Sequence, residues 1–359
     1  MHTETVSLKE NSYPIFVGEG SSFSLETFTE YIPGRDIAII TNEVVAPLYL
    51  KEIAGLFSNK NVITYILPDG EQEKKLKTVH KIIDFLLDAR FGRDATLIAL
   101  GGGVVGDITG FTASIFMRGI SLIQIPTTLL AQVDASIGGK TGVNHKSGKN
   151  LIGSFYQPKC VVCDKRFLHT LSDMDISDGL IEAMKCGLIY DADFFNWLSN
   201  PINAQAAQGD SDEVEYVVKR SCQIKAEIVS KDEKEQSIRA LLNFGHTFGH
   251  AIETLANYEI SHGRAVAHGI KLASKMSHHM DMITEDELNK IETAIFDIGY
   301  TSTCVDPDIF GPKFLDVMKQ DKKVKDGNIQ LVLLRNIGEA FLTSDYDQAI
   351  LEDLIKEPG

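Results

Sequence analysis

Ala95-Thr96-Leu97-Ile98-Ala99-Leu100-Gly101-Gly102-Gly103-Val104-Val105-Gly106-Asp107 runs from an apolar, β-rich stretch into a cluster of glycines. This reads as a buried strand and a tight turn, in which glycines let backbone N–H groups approach a pyrophosphate with no Cβ in the way. Gly101, Gly103 and Gly106 satisfy the spacing GxGxxG. Alone the signal is weak. It lies about 100 residues into the chain, and the ribose-binding acid expected ~20 residues later is missing. A plain strand-to-helix turn also accounts for it.

Two similar junctions shift the balance. Val62–Leu67 runs into Pro68-Asp69-Gly70-Glu71-Gln72-Glu73-Lys74, and Leu122–Ile125 into Pro126-Thr127-Thr128-Leu129-Leu130. With Ile37–Ile40, Thr96–Leu100 and the helical pattern of Leu76–Leu87, strands alternate with helices, which predicts a mostly parallel sheet covered on both faces. Ligands of such sheets bind where strands end at their carboxyl edge. Met1–Gly18 reads as an added hairpin turning near Glu10 and Asn11.

After about Thr170 helical patterns take over, at Asp178–Leu188, Val214–Val229, Ala240–Leu255, Ala265–His279 and Glu285–Ile298. A hairpin of Ile329–Leu334 and Glu339–Leu342 is expected around Asn336-Ile337-Gly338. The domain boundary is expected near Leu171–Ser177, giving domains 1–172 and 173–359.

The 359 residues suffice for two domains, and 43% hydrophobic with 24% charged residues describes a soluble globular chain. No apolar run approaches the ~20 residues that span a bilayer. The start, Met1 to Pro14, lacks the basic and apolar regions of a signal peptide. Five scattered cysteines fit a reducing cytoplasm better than a disulfide framework. A net charge of -15 argues against nucleic acid or anionic membrane as partner. Any phosphate must then meet locally gathered cations.

Asp134 to Asn150 gathers them. This stretch is dense in glycine, lysine and asparagine, including Lys140, Lys149 and Asn150, and lies between apolar segments, so a binding site is favoured over a solvated loop. In the helical half, Arg239, Asn243, His246 and His250 are spaced by four, three and four, one stripe on a continuous helix. Gly245 and Gly249 would admit a neighbouring backbone. His246 and His250 could bind zinc as an i,i+4 pair or be two hydrogen-bonded core histidines. His262 opens a further helix and can face the same place. Glu182 and Lys185, on an apolar segment, could pair with each other, or be a metal ligand and a substrate contact. Two His and one Glu with an open position form a known catalytic zinc set. Cys160-Val161-Val162-Cys163 reads as strand packing, and His268, His278 and His279 read as solvent-exposed.

The segments GGGVVGDITGF, MRG, IPTTLLAQVDASIGGKTGVNHKSGKNLIGSFYQP, EAMKCGLI, KDEKEQSIRALLNFGHTFGHAIE and DKKV, in this order and spacing, make the chain resemble the 3-dehydroquinate synthase family over nearly its whole length. The resemblance implies an α/β N-terminal Rossmann-like dinucleotide-binding domain and a mainly α-helical C-terminal metal-binding domain, with the substrate, 3-deoxy-D-arabino-heptulosonate 7-phosphate, in the cleft between them. It implies metal ligands at Glu182, His246 and His262. It implies substrate contacts at Asp134, Lys140, Asn150, Lys185, Lys225, Arg239, Asn243 and His250, with Arg118 supplied by a partner subunit of a homodimer. Of Lys322 and Lys323, Lys323 is favoured as a further contact. NAD contacts fall on Glu71, Lys74, Gly103, Val104, Asp107, Thr127, Thr128 and Lys149. The implied cofactors are NAD and a divalent metal, zinc in the first place and cobalt as the alternative.

The implied reaction is a cycle: oxidation at carbon 5 by NAD, β-elimination of phosphate, re-reduction, ring opening and intramolecular aldol closure. Three positions depart from the family pattern. Arg264 stands where Glu is usual, Leu171-Ser172-Asp173-Met174 replaces Leu-Pro-x-Arg, and Cys186 replaces a common Tyr. A related sugar-phosphate cyclase, a glycerol-type metal-dependent alcohol dehydrogenase and a non-catalytic NAD- or metal-sensing protein are the alternatives. Substrate choice, net NADH production and absence of turnover would respectively reveal them.

Overall fold

The computed structural model describes residues 1–20, 23–208, 212–300, 305–306, 309–319, 324–325 and 328–356. The chain forms two compact units, Met1–Leu171 with Ser221–Lys234, and Ser172–Arg220 with Glu235–Gly359. The sequence reading has a single division; the return of Ser221–Lys234 to the first unit is a departure from it.

The first unit is built on seven strands: β1 (His2–Val6), β2 (Tyr13–Gly18), β3 (Asp36–Asn42), β4 (Asn61–Leu67), β5 (Thr96–Gly101), β6 (Ser121–Pro126) and, after a separate antiparallel hairpin of β7 (Lys140–His145) and β8 (Gly148–Phe155), β9 (Cys160–Asp164). The sheet order is β1-β2-β9-β6-β5-β3-β4. All pairings are parallel except β1 with β2. The chain moves outward from β3 to β4 and then returns to the other side of β3, where β5 lies. The ends of β3 and β5 therefore flank the switch point at which open α/β sheets bind ligands.

Alternation along the strands explains the burial. Ala38, Ile40, Leu67, Leu97 and Ala99 pack with α3 (Leu76–Asp88) and α4 (Gly103–Ile115), contributing Ile82, Leu86, Ile108 and Phe111. Ile37, Ile39, Ile98 and Leu100 point the other way, toward Phe28 of α1 (Leu25–Thr29) and Ile53 of α2 (Lys51–Leu56). Burial on both faces is why β5 reads as an unbroken apolar run. The Cys160–Cys163 pair lies inside β9 with both thiols buried and free, as packing predicts.

The second unit is mainly helical: α5 (Asp173–Tyr190), α6 (Ala192–Leu198), α7 (Pro201–Ala207), the first part of α8 (Asp212–Lys231), α9 (His246–Leu255), α10 (His262–His279), α11 (Glu285–Asp297), α12 (Pro312–Lys319) and α13 (Gln348–Leu354). Short β10 (Val324–Lys325) pairs with β11 (Asn328–Ile329), and β12 (Leu331–Asn336) pairs with β13 (Glu339–Thr343) as the expected terminal hairpin. No helix among the described residues is long and apolar enough to cross a membrane.

One predicted element is broken. The helix read over Ala240–Leu255 is a 3-10 turn, Ile238–Asn243, followed by α9, with Gly245 between them at φ 77. Glycine is required there twice over. The left-handed backbone disfavours a side chain, and a Cβ would stand 2.8 Å from Ile270 N in α10. Gly249 and Gly269 continue this close contact, with added Cβ atoms 3.2 Å from Ala265 O and 2.0 Å from Gly245 O. The backbones of α9 and α10 thus lie against each other. Arg239 and Asn243 do not share a helix with His246 and His250, so the four-residue stripe is not formed.

Candidate active site and metal centre

In the first unit the glycine turn meets the turn after β6. Thr127 N donates to Gly101 O at 3.1 Å. A Cβ on Gly102 would stand 3.1 Å from Thr128 Cγ2, and one on Gly103 would stand 3.3 Å from Ala135 Cβ. Gly103 and Val104 form the first turn of α4, whose N-terminal N–H groups lack intrahelical partners. Lys74 Nζ lies 2.5 Å from Asp107 Oδ2, with Lys74 buried. Burial pushes the Asp107 carboxyl up, against the pull of the Lys74 ammonium.

Asn144, which the sequence reading did not single out as a site residue, knits these elements together. Its N–H donates to Lys74 O at 2.8 Å, its Nδ2 to Glu71 Oε1 at 2.7 Å, and its Oδ1 accepts from Asn150 N at 2.9 Å. Asn150, in β8, takes a positive φ of 53, an uncommon left-handed backbone directly after Lys149. Lys140 is exposed on β7. Asp134 lies on a single π turn, Ala131–Ala135, and Lys225 of α8 donates to its Oδ1 at 2.6 Å and also to its main-chain oxygen. These two residues are 91 positions apart and meet because Ser221–Lys234 packs with the first unit. Arg118 is exposed within a run of positive φ at Met117 (49), Arg118 (68) and Gly119 (117). Two non-glycine residues in that region store ~1–3 kcal/mol each, as functional turns do.

In the second unit Glu182, His246 and His262 each offer a ligand atom, all within 4.8 Å of one another. Glu182 Oε1 is 3.5 Å from His246 Nε2 and 3.4 Å from His262 Nε2. His246 Nδ1 lies 3.2 Å from Phe244 O, and His262 Nδ1 lies 3.4 Å from Glu253 Oε1. Each ring is thus anchored through Nδ1 and presents Nε2. The Lys185 ammonium touches Glu182 Oε2, and both side chains are 1% exposed. Neither buried oxygen of Glu182 accepts a well-formed hydrogen bond. One carboxylate and two imidazole nitrogens, short of hydrogen bonds and close together, fit a divalent cation. His250 is not part of that three-residue group; its ring packs edge-on to that of His246, with centroids 5.6 Å apart.

The charges are arranged accordingly. Burial works to raise the Glu182 pKa, but Lys185 and His262 outweigh it and lower it to about 2. Burial likewise works against the His262 proton, while Glu182 and Glu253 raise its pKa to about 10. A bound cation would displace that proton, since a ligating imidazole is neutral.

Packing of α5 on α10 holds Glu182 to the histidines. Asp178, one turn before Glu182, accepts from Ser261 Oγ at 2.9 Å and from Tyr300 Oη. A Cβ on Gly263 would stand 2.5 Å from Asp178 Cα. Arg239 is buried, and Asn243 Nδ2 donates to Glu235 Oε1 at 2.8 Å. Lys322 and Lys323 lie outside the described residues.

Two of the family departures touch. Arg264 Nη2 lies 3.6 Å from Met174 Sδ. Ser172 caps α5 in a reciprocal box with Asp175, a different helix start from the usual proline. His268, read as exposed, is buried, because α10 is covered on most of its surface. Burial, with Lys271, Arg264 and Lys275 nearby, pushes its pKa down to about 4. The missed Glu253 had a legible signal, lying seven residues after His246 and so two turns on along one helix face.

Solved structures share this fold. 2-deoxy-scyllo-inosose synthase, complexed with carbaglucose-6-phosphate, NAD+ and Co2+, matches with a TM-score of 0.87, 25% identity and 99% of each chain covered. 2-epi-5-epi-valiolone synthase from Streptomyces hygroscopicus subsp. jinggangensis, with NAD+ and Zn2+ bound, matches with a TM-score of 0.85, 29% identity and 97% of each chain covered. An iron-containing alcohol dehydrogenase from Thermotoga maritima shares the fold at a TM-score of 0.62, 14% identity and 99% of each chain covered. A parallel-sheet α/β unit with a helical unit is the fold this chain shares with these sugar-phosphate cyclases.

Within that class the match is narrower. The family models 3-dehydroquinate synthase N-terminal and C-terminal match residues 64–178 and 179–324. The 3-dehydroquinate synthase of Hydrogenovibrio crunogenus is 48% identical over 358 residues, covering 99% of both chains, and that of Shewanella pealeana is 46% identical over 352, covering 98% of both. The chain belongs to the 3-dehydroquinate synthase family.

Proposed function

We propose that the chain acts as a carbon–oxygen lyase, converting 3-deoxy-D-arabino-heptulosonate 7-phosphate to 3-dehydroquinate and phosphate, with NAD reduced and reoxidised within each turnover. The observation that carries the reading is the Glu182–His246–His262 cluster with Lys185 against Glu182. Those three residues would hold a divalent metal, zinc in the first place with cobalt as the alternative. When bound, the metal supplies Lewis acidity and NAD a hydride acceptor.

The chain's own residues do the rest. Lys185 neutralises Glu182 in the metal-free site and is free to turn to a substrate oxygen once a cation takes that role. His250, outside the ligand set, holds or moves a proton at its imidazole. Lys140, Asn150, Arg239 and Asn243 bind and orient the phosphorylated sugar acid, with Asp134 and Lys225 acting as a pair. Glu71, Lys74, Gly103, Val104, Asp107, Thr127, Thr128 and Lys149 receive NAD. The cations stabilise the leaving phosphate.

The working form is a homodimer in which Arg118 serves the partner subunit. Exposed Ile115, Leu151 and Phe155 support this. Ser154 Oγ, one residue from Phe155, donates to Ser114 Oγ, beside Ile115. The cytoplasm is the proposed compartment, and nucleic acid and membrane are not partners.

A coupled assay of phosphate and dehydroquinate, with added NAD and metal, tests the reading. One phosphate per dehydroquinate without net NADH is expected. Stoichiometric NADH would overturn the cycle, and preference for sedoheptulose 7-phosphate would transfer the chain to a neighbouring cyclase activity.

A further inference from the structure

Among the described residues the three ligand atoms come from α5, α9 and α10, and the far nitrogens of the two histidines face acceptors of different kinds. His246 Nδ1 faces the main-chain oxygen of Phe244, two residues away, an acceptor supplied by local backbone geometry. His262 Nδ1 faces Glu253 Oε1 at 3.4 Å, and Glu253 is 2% exposed. A buried carboxylate carries a desolvation cost that a facing N–H helps to offset.

His262 stands between two carboxylates, Glu182 at Nε2 and Glu253 at Nδ1. A neutral imidazole carries one N–H and one lone pair, and which nitrogen carries which is set by the partner of the other. Glu253 can only accept. It therefore keeps the N–H on Nδ1 and leaves the lone pair on Nε2, the nitrogen that joins Glu182 and His246.

Charge points the same way. With neutral histidines, Glu182 and Lys185 sum to zero, and Glu253 makes the group negative by one. A divalent cation entering then leaves one positive charge in the buried site rather than two. Histidine ligands are commonly backed by such a carboxylate, and its loss typically lowers metal affinity 10- to 100-fold.

We infer that Glu253 is the positioning residue of the metal centre, fixing His262 with its Nε2 lone pair toward the cation and adding the negative charge that favours divalent binding. At 2% exposure it acts through His262. The inference rests on the metal reading of Glu182, His246 and His262.

The test uses metal-stripped full-length protein titrated with Co2+, following affinity and the cobalt visible absorption, for wild type, Glu253→Gln and Glu253→Ala. Secondary structure and NAD affinity are measured on each variant, so that loss of folded protein is separated from loss of metal. Glu253→Ala should weaken Co2+ binding 10- to 100-fold and alter the absorption bands, with NAD affinity within twofold. Glu253→Gln, which keeps an acceptor for Nδ1–H, should weaken binding less than the alanine change. The inference is overturned if both variants bind Co2+ within twofold of wild type with unchanged bands. It is also overturned if metal loss merely tracks loss of folded protein. Wild type that binds no Co2+ would sink the metal reading itself, a different result from a wild type and variants that bind alike.

Discussion

Replacing Lys185 with methionine should destabilise the metal-free protein strongly and the metal-loaded protein much less. Lys185 and Glu182 are each 1% exposed, and the ammonium touches Glu182 Oε2. Methionine keeps most of the side-chain volume and removes the charge. What remains is a buried carboxylate whose nearest formal positive charge is the His262 imidazolium. Removing one member of a buried pair costs about 3–5 kcal/mol, and each kcal/mol moves the midpoint of a unit this size by ~2–4 °C. The metal-free variant should therefore melt roughly 6–20 °C below wild type. A divalent cation restores a positive charge beside the same carboxylate without a competing ammonium. At ~1,000-fold excess over Kd it contributes ~4 kcal/mol to wild type, and it should contribute more to the variant. The assay is a pair of melting curves for each protein, chelator-treated and metal-saturated. Refutation would be a metal-free variant within ~2 °C of wild type, or a metal increment no larger than the wild-type one.

Elemental analysis should find metal sharply reduced in His246→Ala and His262→Ala but near wild-type content in His250→Ala, which slows turnover instead; a His250 variant emptied of metal would contradict the division of roles. For pH, the folded pKa of His262 is raised to about 10 from 6.5. Its contribution to metal-free stability is thus full below pH ~6.5 and lost as pH rises toward 10, so the urea midpoint of chelated protein should fall across that window while metal-loaded protein changes less. Lys140→Ala, at an exposed strand position, should leave the melting temperature and NAD affinity unchanged while lowering kcat/KM roughly 10- to 150-fold, the loss of one charge-assisted contact of ~1.5–3 kcal/mol. Equal loss of NAD affinity would move Lys140 to the cofactor side.

Local pattern made much of the first unit legible. β3, β5 and β6 bury both faces, so their apolar runs stand out, and the glycine turn follows β5 where the sheet ends. The hairpins at either end of the chain were readable from alternation and turn residues. The helix over Ala240–Leu255 was misread because apolar spacing continues through Gly245, while the break is imposed by the backbone of α10 lying against it.

The sequence by itself determined which chemistry was present: glycine turns at strand ends, a lysine- and asparagine-rich stretch, and a supply of histidine and glutamate on apolar helices. Spacing leaves His246 and His250 as equal candidates, since i,i+4 neighbours share a face whether or not a metal is bound, and only the family resemblance selects His246 with His262. The tertiary structure brings His262 Nε2 to 3.4 Å from Glu182 Oε1, where α5, α9 and α10 meet. It also joined Lys225 to Asp134 across 91 residues and set Glu253 behind His262. A ligand set needs atoms within a few ångströms in three dimensions. Periodicity specifies only which way a residue faces on its own element, and helix-to-helix approach, here allowed by Gly245, Gly249, Gly263 and Gly269, specifies what it meets.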